Sequence, residues 1–146
     1  MTTYEIKSLA ERLMHQHGLH GWTFKFDGAA QRLGSCRYRP KLITFSRHYT
    51  HLEEAKIRDV LLHEIAHALT PGVGHGWRWR DKCREIGARP ERCASEQSTK
   101  RPRYTYRCPN PVCSNTTGFY RKPRIRRSCG KCSPYAFNPQ YLMVQT

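Results

Sequence analysis

Apolar residues fall into two periods along this chain. Ile6, Leu9, Ala10, Leu13 and Met14 recur at helical spacing, behind a Thr2-x-x-Glu5 capping box and ahead of a stop at Gly18. Residues 22–26 alternate large apolar with polar side chains, as a half-buried strand does, and Asp27-Gly28 supplies a turn. Residues 35–38 and 42–46 read as two further strands around Arg39-Pro40-Lys41, where proline confines the stretch to a turn or an edge. The helical period then returns. Ile57, Val60, Leu61, Ile65, Ala68 and Leu69 share one face, opened by a second candidate capping box at Thr50 and Glu53 and closed by Pro71-Gly72. Trp79, Cys83 and Ile86 mark a third helix that ends at Gly87. The pattern predicts three helices against a small antiparallel sheet, an α+β core over residues 1–98.

Periodicity is lost from residue 88 to residue 103, which reads as a linker with its boundary near residues 97–100. Beyond it, residues 104–107, 119–122, 124–127 and 141–144 are short strand candidates, so 99–146 is expected to be a separate small β domain. A segment that short cannot bury a sufficient core and needs a metal or disulfides. The chain has seven cysteines, an odd number, and its first residues lack the basic-then-apolar design of a signal peptide, which argues against a disulfide framework. The expectation is a cytoplasmic, DNA-associated monomer with no membrane span. Cys36, Cys83 and Cys93 stand alone and read as small buried or half-buried residues.

His63-Glu64-Ile65-Ala66-His67 carries the most specific chemistry. On a helix, His63 and His67 project from one face, while Glu64 is rotated away by about 100°, beside the metal without being forced to bind it. Catalytic zinc takes three protein ligands and keeps one position for water. His75, eight residues after His67 and across a Pro-Gly-Val-Gly turn, is placed to be the third, although on spacing alone it also reads as a cap of the next helix. These parts predict peptide hydrolysis: zinc acidifies a water, and Glu64 takes its proton and returns it to the leaving amine. A second oxyanion donor is not evident; His48, Tyr49 and His51 are candidates.

Cys108, Cys113, Cys129 and Cys132 have the layout of a four-cysteine zinc ribbon, with Gly130 allowing the second turn and a longer first knuckle. Two reactive dithiols or an iron–sulfur site are the alternatives. With this site, two zinc ions per chain are predicted. The net charge of +15 is concentrated here: residues 97–146 hold ten Lys or Arg and no acid, which suits a polyanion. Arg121, Lys122, Arg124, Arg126, Arg127 and Lys131 are the expected phosphate contacts. Tyr104, Tyr106, Phe119, Tyr120 and Tyr135 would either stack on exposed bases or form the ribbon's own core. No base-reading pattern is evident, so binding is expected to be sequence-nonspecific and to favour single strands.

Taken together, the His63–His67 motif, His75-Gly76-Trp77-Arg78-Trp79, Gly87-Ala88-Arg89-Pro90, the strand at residues 41–46 and the trailing cysteines resemble the SprT-like zinc metalloproteases, the Spartan-related group. The resemblance covers about residues 4–132. It implies a minimal zincin-like metalloprotease core followed by a small β zinc ribbon. It also implies DNA-stimulated cleavage of DNA-bound or DNA-crosslinked proteins, with His75 as third ligand, Glu64 as base and Trp79 packed near the site. The short His67–His75 connection and the expanded first knuckle depart from that pattern. Two other functions fit the residues: a nucleic-acid-binding protein with an inert core, and a zinc-dependent nuclease.

Overall fold

A computed structural model describes residues 1–91 and 96–146; Cys93 and the middle of the expected linker lie outside the described residues. The described residues divide into two compact units, Met1–Thr99 and Lys100–Thr146.

The first unit contains α1 (Thr3–Gln16), β1 (Thr23–Asp27), β2 (Gly34–Tyr38), β3 (Lys41–Ser46), α2 (Glu54–Leu69) and α3 (Trp77–Ile86). Helix α1 starts at the expected capping box: the Thr2 hydroxyl accepts from the Glu5 N–H and the Glu5 carboxylate accepts from the Thr2 N–H. The second expected box does not form. Helix α2 begins at Glu54 with Glu53 as a cap that makes no side-chain bond, because a 3-10 turn at Arg47–Tyr49 takes up Thr50, whose hydroxyl donates to the Arg47 carbonyl. Helix α3 ends at Gly87, whose φ of 86° is the left-handed cap that favours glycine.

The fold is α+β as expected, but the sheet of this unit is mixed rather than antiparallel. Its order is β1-β3-β2, with β1 parallel to β3 and β2 antiparallel to it. Strand β3 takes the centre because residues 43–46 are all buried. The tight turn at Arg39-Pro40 makes β2 its antiparallel neighbour, so β1 must pair on the other side and in the same direction as β3. Strand β2, left on the edge, lies against α2. The apolar faces of α1 and α2, with Ile43, Phe45, Trp79 and Cys83, form one core.

Much of the expected linker is fastened to this unit. Ala88 is buried, the Arg89 N–H and guanidinium both bind Asp59, Glu96 pairs with Lys56, and the Thr99 N–H and hydroxyl both donate to the His48 carbonyl. Loss of periodicity marked the end of regular structure, not the end of packing.

The second unit is a three-stranded antiparallel sheet of order β5-β4-β6, from β4 (Tyr104–Arg107), β5 (Thr116–Phe119) and β6 (Val144–Gln145). Residues 124–127 form no strand; the adjacent Ser128 makes a single bridge to Leu142. Pro139–Tyr141 is a 3-10 turn, which shortens the last predicted strand to two residues. No helix among the described residues is long and apolar enough to cross a membrane.

Candidate metal centres

Helix α2 sets His63 and His67 one turn apart. The chain then reverses through Gly72 and Gly74, both at positive φ, and returns His75 to the same place just before α3. The Nε2 atoms of His67 and His75 are 3.1 Å apart and those of His75 and His63 are 3.3 Å apart. Tetrahedral zinc with Zn–N distances of 2.0–2.1 Å separates its nitrogen ligands by about 3.3 Å, so the three imidazoles fit one ion. His75 therefore faces the other two histidines rather than serving only the next helix.

Electrostatics agree with that fit. In the metal-free protein, burial and then the neighbouring imidazoles hold His63 and His67 down at about 4. Both rings are thus neutral, with lone pairs available, through the neutral pH range. Trp79, fully buried, supports all three: its ring centroid lies 4.7 Å from that of His63, 4.6 Å from that of His75 and 5.1 Å from that of His67, on which it stacks. Its indole N–H is buried without a hydrogen-bond partner among the described residues, a cost accepted for the position of the ring.

Glu64 is buried beside the histidines and faces the edge strand. A Cβ at Gly34 would stand 2.9 Å from the Thr44 carbonyl, 3.0 Å from Glu64 Cγ and 3.2 Å from Glu64 Oε1. The strand can pass this close to the carboxylate only without a side chain, a requirement with no signal in the sequence pattern. Burial pushes the Glu64 carboxyl up to about 8 in the metal-free protein; Arg32 opposes that shift and Asp27 adds to it. Glu64 and the three histidines reach the surface of one cleft of about 1040 Å³, walled by residues 30–34, Cys36, Tyr38 and Tyr49.

Of the sequence-based oxyanion candidates, only Tyr49 lines this cleft, and its hydroxyl is committed to the Ala30 carbonyl. His51 stacks on Tyr49, and the His48 carbonyl holds Thr99. The wall residues of β2 were not singled out by the sequence. Cys36 is half-buried on that wall, its thiol pushed up to about 12 by burial and by Glu64, while Cys83 is buried in the core.

In the second unit, Cys108, Cys113, Cys129 and Cys132 come together in one group. Their sulfurs approach to 3.8 Å in the pairs Cys108–Cys132 and Cys113–Cys129, each joining one knuckle to the other. Tetrahedral zinc at 2.3 Å sets thiolate sulfurs about 3.8 Å apart, so this set also fits one ion, as two separate dithiols would not. The Asn110 amide donates to Cys132 Sγ at 3.5 Å and the Asn115 amide to Cys129 Sγ at 3.2 Å. Burial pushes the Cys129 thiol up, but the backbone N–H groups of Cys132 and Lys131 and the Asn115 amide outweigh it and hold it at about 6. The expanded first knuckle is closed by Asn110, whose side-chain oxygen accepts from the Val112 N–H and whose backbone carbonyl accepts from the Cys113 N–H. Gly130 is not among the glycines with positive φ, so the second knuckle turns without needing a glycine's freedom.

The expected phosphate contacts Arg121, Lys122, Arg124, Arg126, Arg127 and Lys131 are all exposed. Arg124, Arg126 and Arg127 line one cavity of about 530 Å³ with Tyr106, Phe119 and Met143; the other three do not. Arg127 lies over the Phe119 ring, which packs edge-on against Tyr106, so these two half-buried aromatics pack against the ribbon itself. Tyr135 is almost fully exposed.

A histidine pair on a helix, a third histidine from the following turn and a buried glutamate, all on a small α+β core, define a zinc metallopeptidase-like protein. The SprT-like family matches residues 4–101, and the chain belongs to that family. No curated protein sequence matches it. Among solved structures, the metallopeptidase zymogen jannalysin of Methanocaldococcus jannaschii superposes with a TM-score of 0.50 at 16% identity, covering 55% of this chain and 79% of that one. The metallopeptidase zymogen abylysin of Pyrococcus abyssi gives 0.49 at 17% identity, covering 56% and 78%. The jannalysin likeness is one of fold. Family, fold and donor sets together support a zinc metallopeptidase.

Proposed function

We propose that this protein is a zinc-dependent endopeptidase that cleaves proteins bound or crosslinked to DNA, holding two zinc ions, one catalytic and one structural. The observation that carries the peptidase reading is Glu64, buried beside three convergent imidazoles and open to one cleft. His63, His67 and His75 would hold the catalytic ion, and Cys108, Cys113, Cys129 and Cys132 the structural one. When bound, the catalytic zinc supplies Lewis acidity at the cleft surface. Glu64 draws the proton from the attacking water and delivers it to the departing amine. His63 and His67 stay neutral, and Trp79 fixes all three rings.

The DNA part of the reading rests on charge. The second unit has ten basic side chains and no acidic one, so it gathers phosphate without internal competition. Binding is expected to be sequence-nonspecific, to favour single strands and to place a monomer on the nucleoid or other cytoplasmic DNA. Purified zinc-loaded protein is incubated with a DNA-bound protein and with free nucleic acid, beside Glu64→Gln. Cleavage of the protein, lost in the variant while both metals stay, supports the reading. Cleavage of nucleic acid instead would make the protein a nuclease, and cleavage of neither a binding protein with an inert core.

A further inference from the structure

One hydroxyl of the cleft wall, that of Tyr38, lies against the helix that carries His63, Glu64 and His67. Strand β2 runs along α2 with Gly34, Cys36 and Tyr38 on one face, since alternate residues of a strand share a side. Gly34 lies over Glu64, and four residues further along, Tyr38 Oη donates to the His67 carbonyl at 2.6 Å. The strand therefore follows the helix from the base to a metal ligand and ends with a phenol on the same cleft wall.

Two other donors of the cleft, Arg32 and Tyr49, are committed elsewhere. Arg32 is held by Asp27 at 2.8 Å and Tyr49 by the Ala30 carbonyl. The Tyr38 bond, in contrast, is replaceable. The His67 carbonyl also accepts from the Thr70 N–H at 3.2 Å, so it keeps a partner when the phenol leaves. Tyr38 is also partly exposed, at 40%, which gives its ring room to move toward a substrate.

We propose that Tyr38 is the second oxyanion donor of this cleft, its hydroxyl exchanging the His67 carbonyl for the oxygen of the scissile peptide as that oxygen becomes negative. The proposal rests on the peptidase reading. Water oxygen bonds to the carbonyl carbon and its proton goes to Glu64. The carbonyl oxygen takes the negative charge and accepts the Tyr38 hydrogen bond. The C–N bond then breaks, the proton passes from Glu64 to the amine, and Tyr38 returns to His67 with no net proton gained. The donor acts on charge present only in the transition state, so it should affect turnover rather than substrate binding.

The test is Tyr38→Phe in the zinc-loaded full chain on a DNA-bound protein substrate, with kcat, KM, zinc content, thermal unfolding and the affinity of a phosphinic peptide measured by calorimetry. The expected result is a fall in kcat of about 100-fold with KM changed less than about two-fold, and a matching loss of phosphinic-peptide affinity. Zinc content and unfolding temperature should stay at wild-type values. Unchanged kcat in an otherwise active protein overturns the proposal and leaves the peptidase reading standing. Loss of zinc in proportion to activity overturns it in favour of an anchoring role for the His67 carbonyl. A wild-type protein that cleaves nothing overturns the peptidase reading and this proposal together.

Discussion

The two candidate metal sites of this protein are built on opposite plans. The histidine site is added to a unit that already has a core: Ile6, Leu13, Ile43, Phe45, Ile57 and Trp79 are essentially without solvent exposure, and the three histidines sit at the rim of that core. Among the described residues of the second unit only Cys108 and Cys129 are buried, and both belong to the four-thiol group. The first unit's core forms apart from its three imidazoles; the second unit's buried residues are part of its thiol group. The ligand chemistry follows. Three imidazoles beside a cleft suit an ion with an open position, whereas four thiols from two knuckles suit a closed one. The difference teaches where each unit is vulnerable.

The comparison is broken most severely by removing metal. Zinc binding to small structural sites contributes on the order of 10 kcal/mol, more than a unit this small derives from packing. Cys129→Ser is therefore expected to abolish amide-exchange protection throughout residues 100–146 while leaving protection of α1, α2 and β3 intact. Protection that survives in β4 and β5 would show that the ribbon has a core of its own.

Next in size is the reciprocal change in the first unit. Trp79→Ala removes a fully buried ring and the support of three histidines. It should lower stability by about 3–5 kcal/mol and release the catalytic zinc, with the thiolate zinc retained. Metal analysis after gel filtration, reading one ion instead of two, checks it.

Gly34→Ala is expected to separate activity from stability. The added methyl meets the Thr44 carbonyl and the Glu64 side chain, and the carboxylate is the softer of the two. Stability should fall by about 1–3 kcal/mol, while peptide cleavage falls far more because Glu64 is displaced. A variant with wild-type turnover would mean that Glu64 tolerates the shift.

The metal-free first unit should also carry a pH signature set by His63, His67 and Glu64. His63 and His67 are held at about 4 against 6.5 when unfolded, so the unfolded chain binds more protons between those values and stability rises with pH through that window. Glu64 is held at about 8 against 4.5, so the folded state keeps a proton that the unfolded chain has lost, and stability falls as pH rises from 4.5 to 8. With two histidines against one glutamate, these groups place the maximum near pH 6.5. Urea unfolding of the chelated protein across pH 4–9 measures it, and a stability that climbs steadily to pH 8 would contradict the buried, protonated Glu64.

The smallest effect lies on the cationic unit. Arg124→Ala or Arg126→Ala should each weaken single-stranded DNA binding and lower the slope of log affinity against log salt by about one. Unchanged slopes would remove both residues from the phosphate contacts.

Legibility in the sequence followed the range of the interactions. Helices α1 and α2 and the strands at 23–27 and 34–46 announced themselves through period and turn chemistry, which act between near neighbours. The Thr50–Glu53 box looked just as convincing as the one at Thr2 but lost to a 3-10 turn that the end of β3 imposes. The ribbon's edges were read least well, because residues 124–127 are held by a single backbone contact, Met143 N–H to the Arg127 carbonyl, rather than by a ladder. The histidine motif and the cysteine spacing were visible as patterns of ligands; Gly34, Cys36 and Tyr38 were not, since nothing local distinguishes a strand that forms a cleft wall.

By itself the sequence determined the ligand types, their spacing on helix and knuckles, the acid-free cationic segment and the order of the elements, all properties carried by neighbours along the chain. The tertiary structure alone decided that β1 pairs in parallel with β3, that β2 is the edge lying over α2, which of the two roles left open for His75 it takes, and that Glu64 is buried opposite Gly34. Each of these joins residues far apart in the chain. Their proximity depends on how the core packs, and packing is a property of the whole unit that no local window of residues contains.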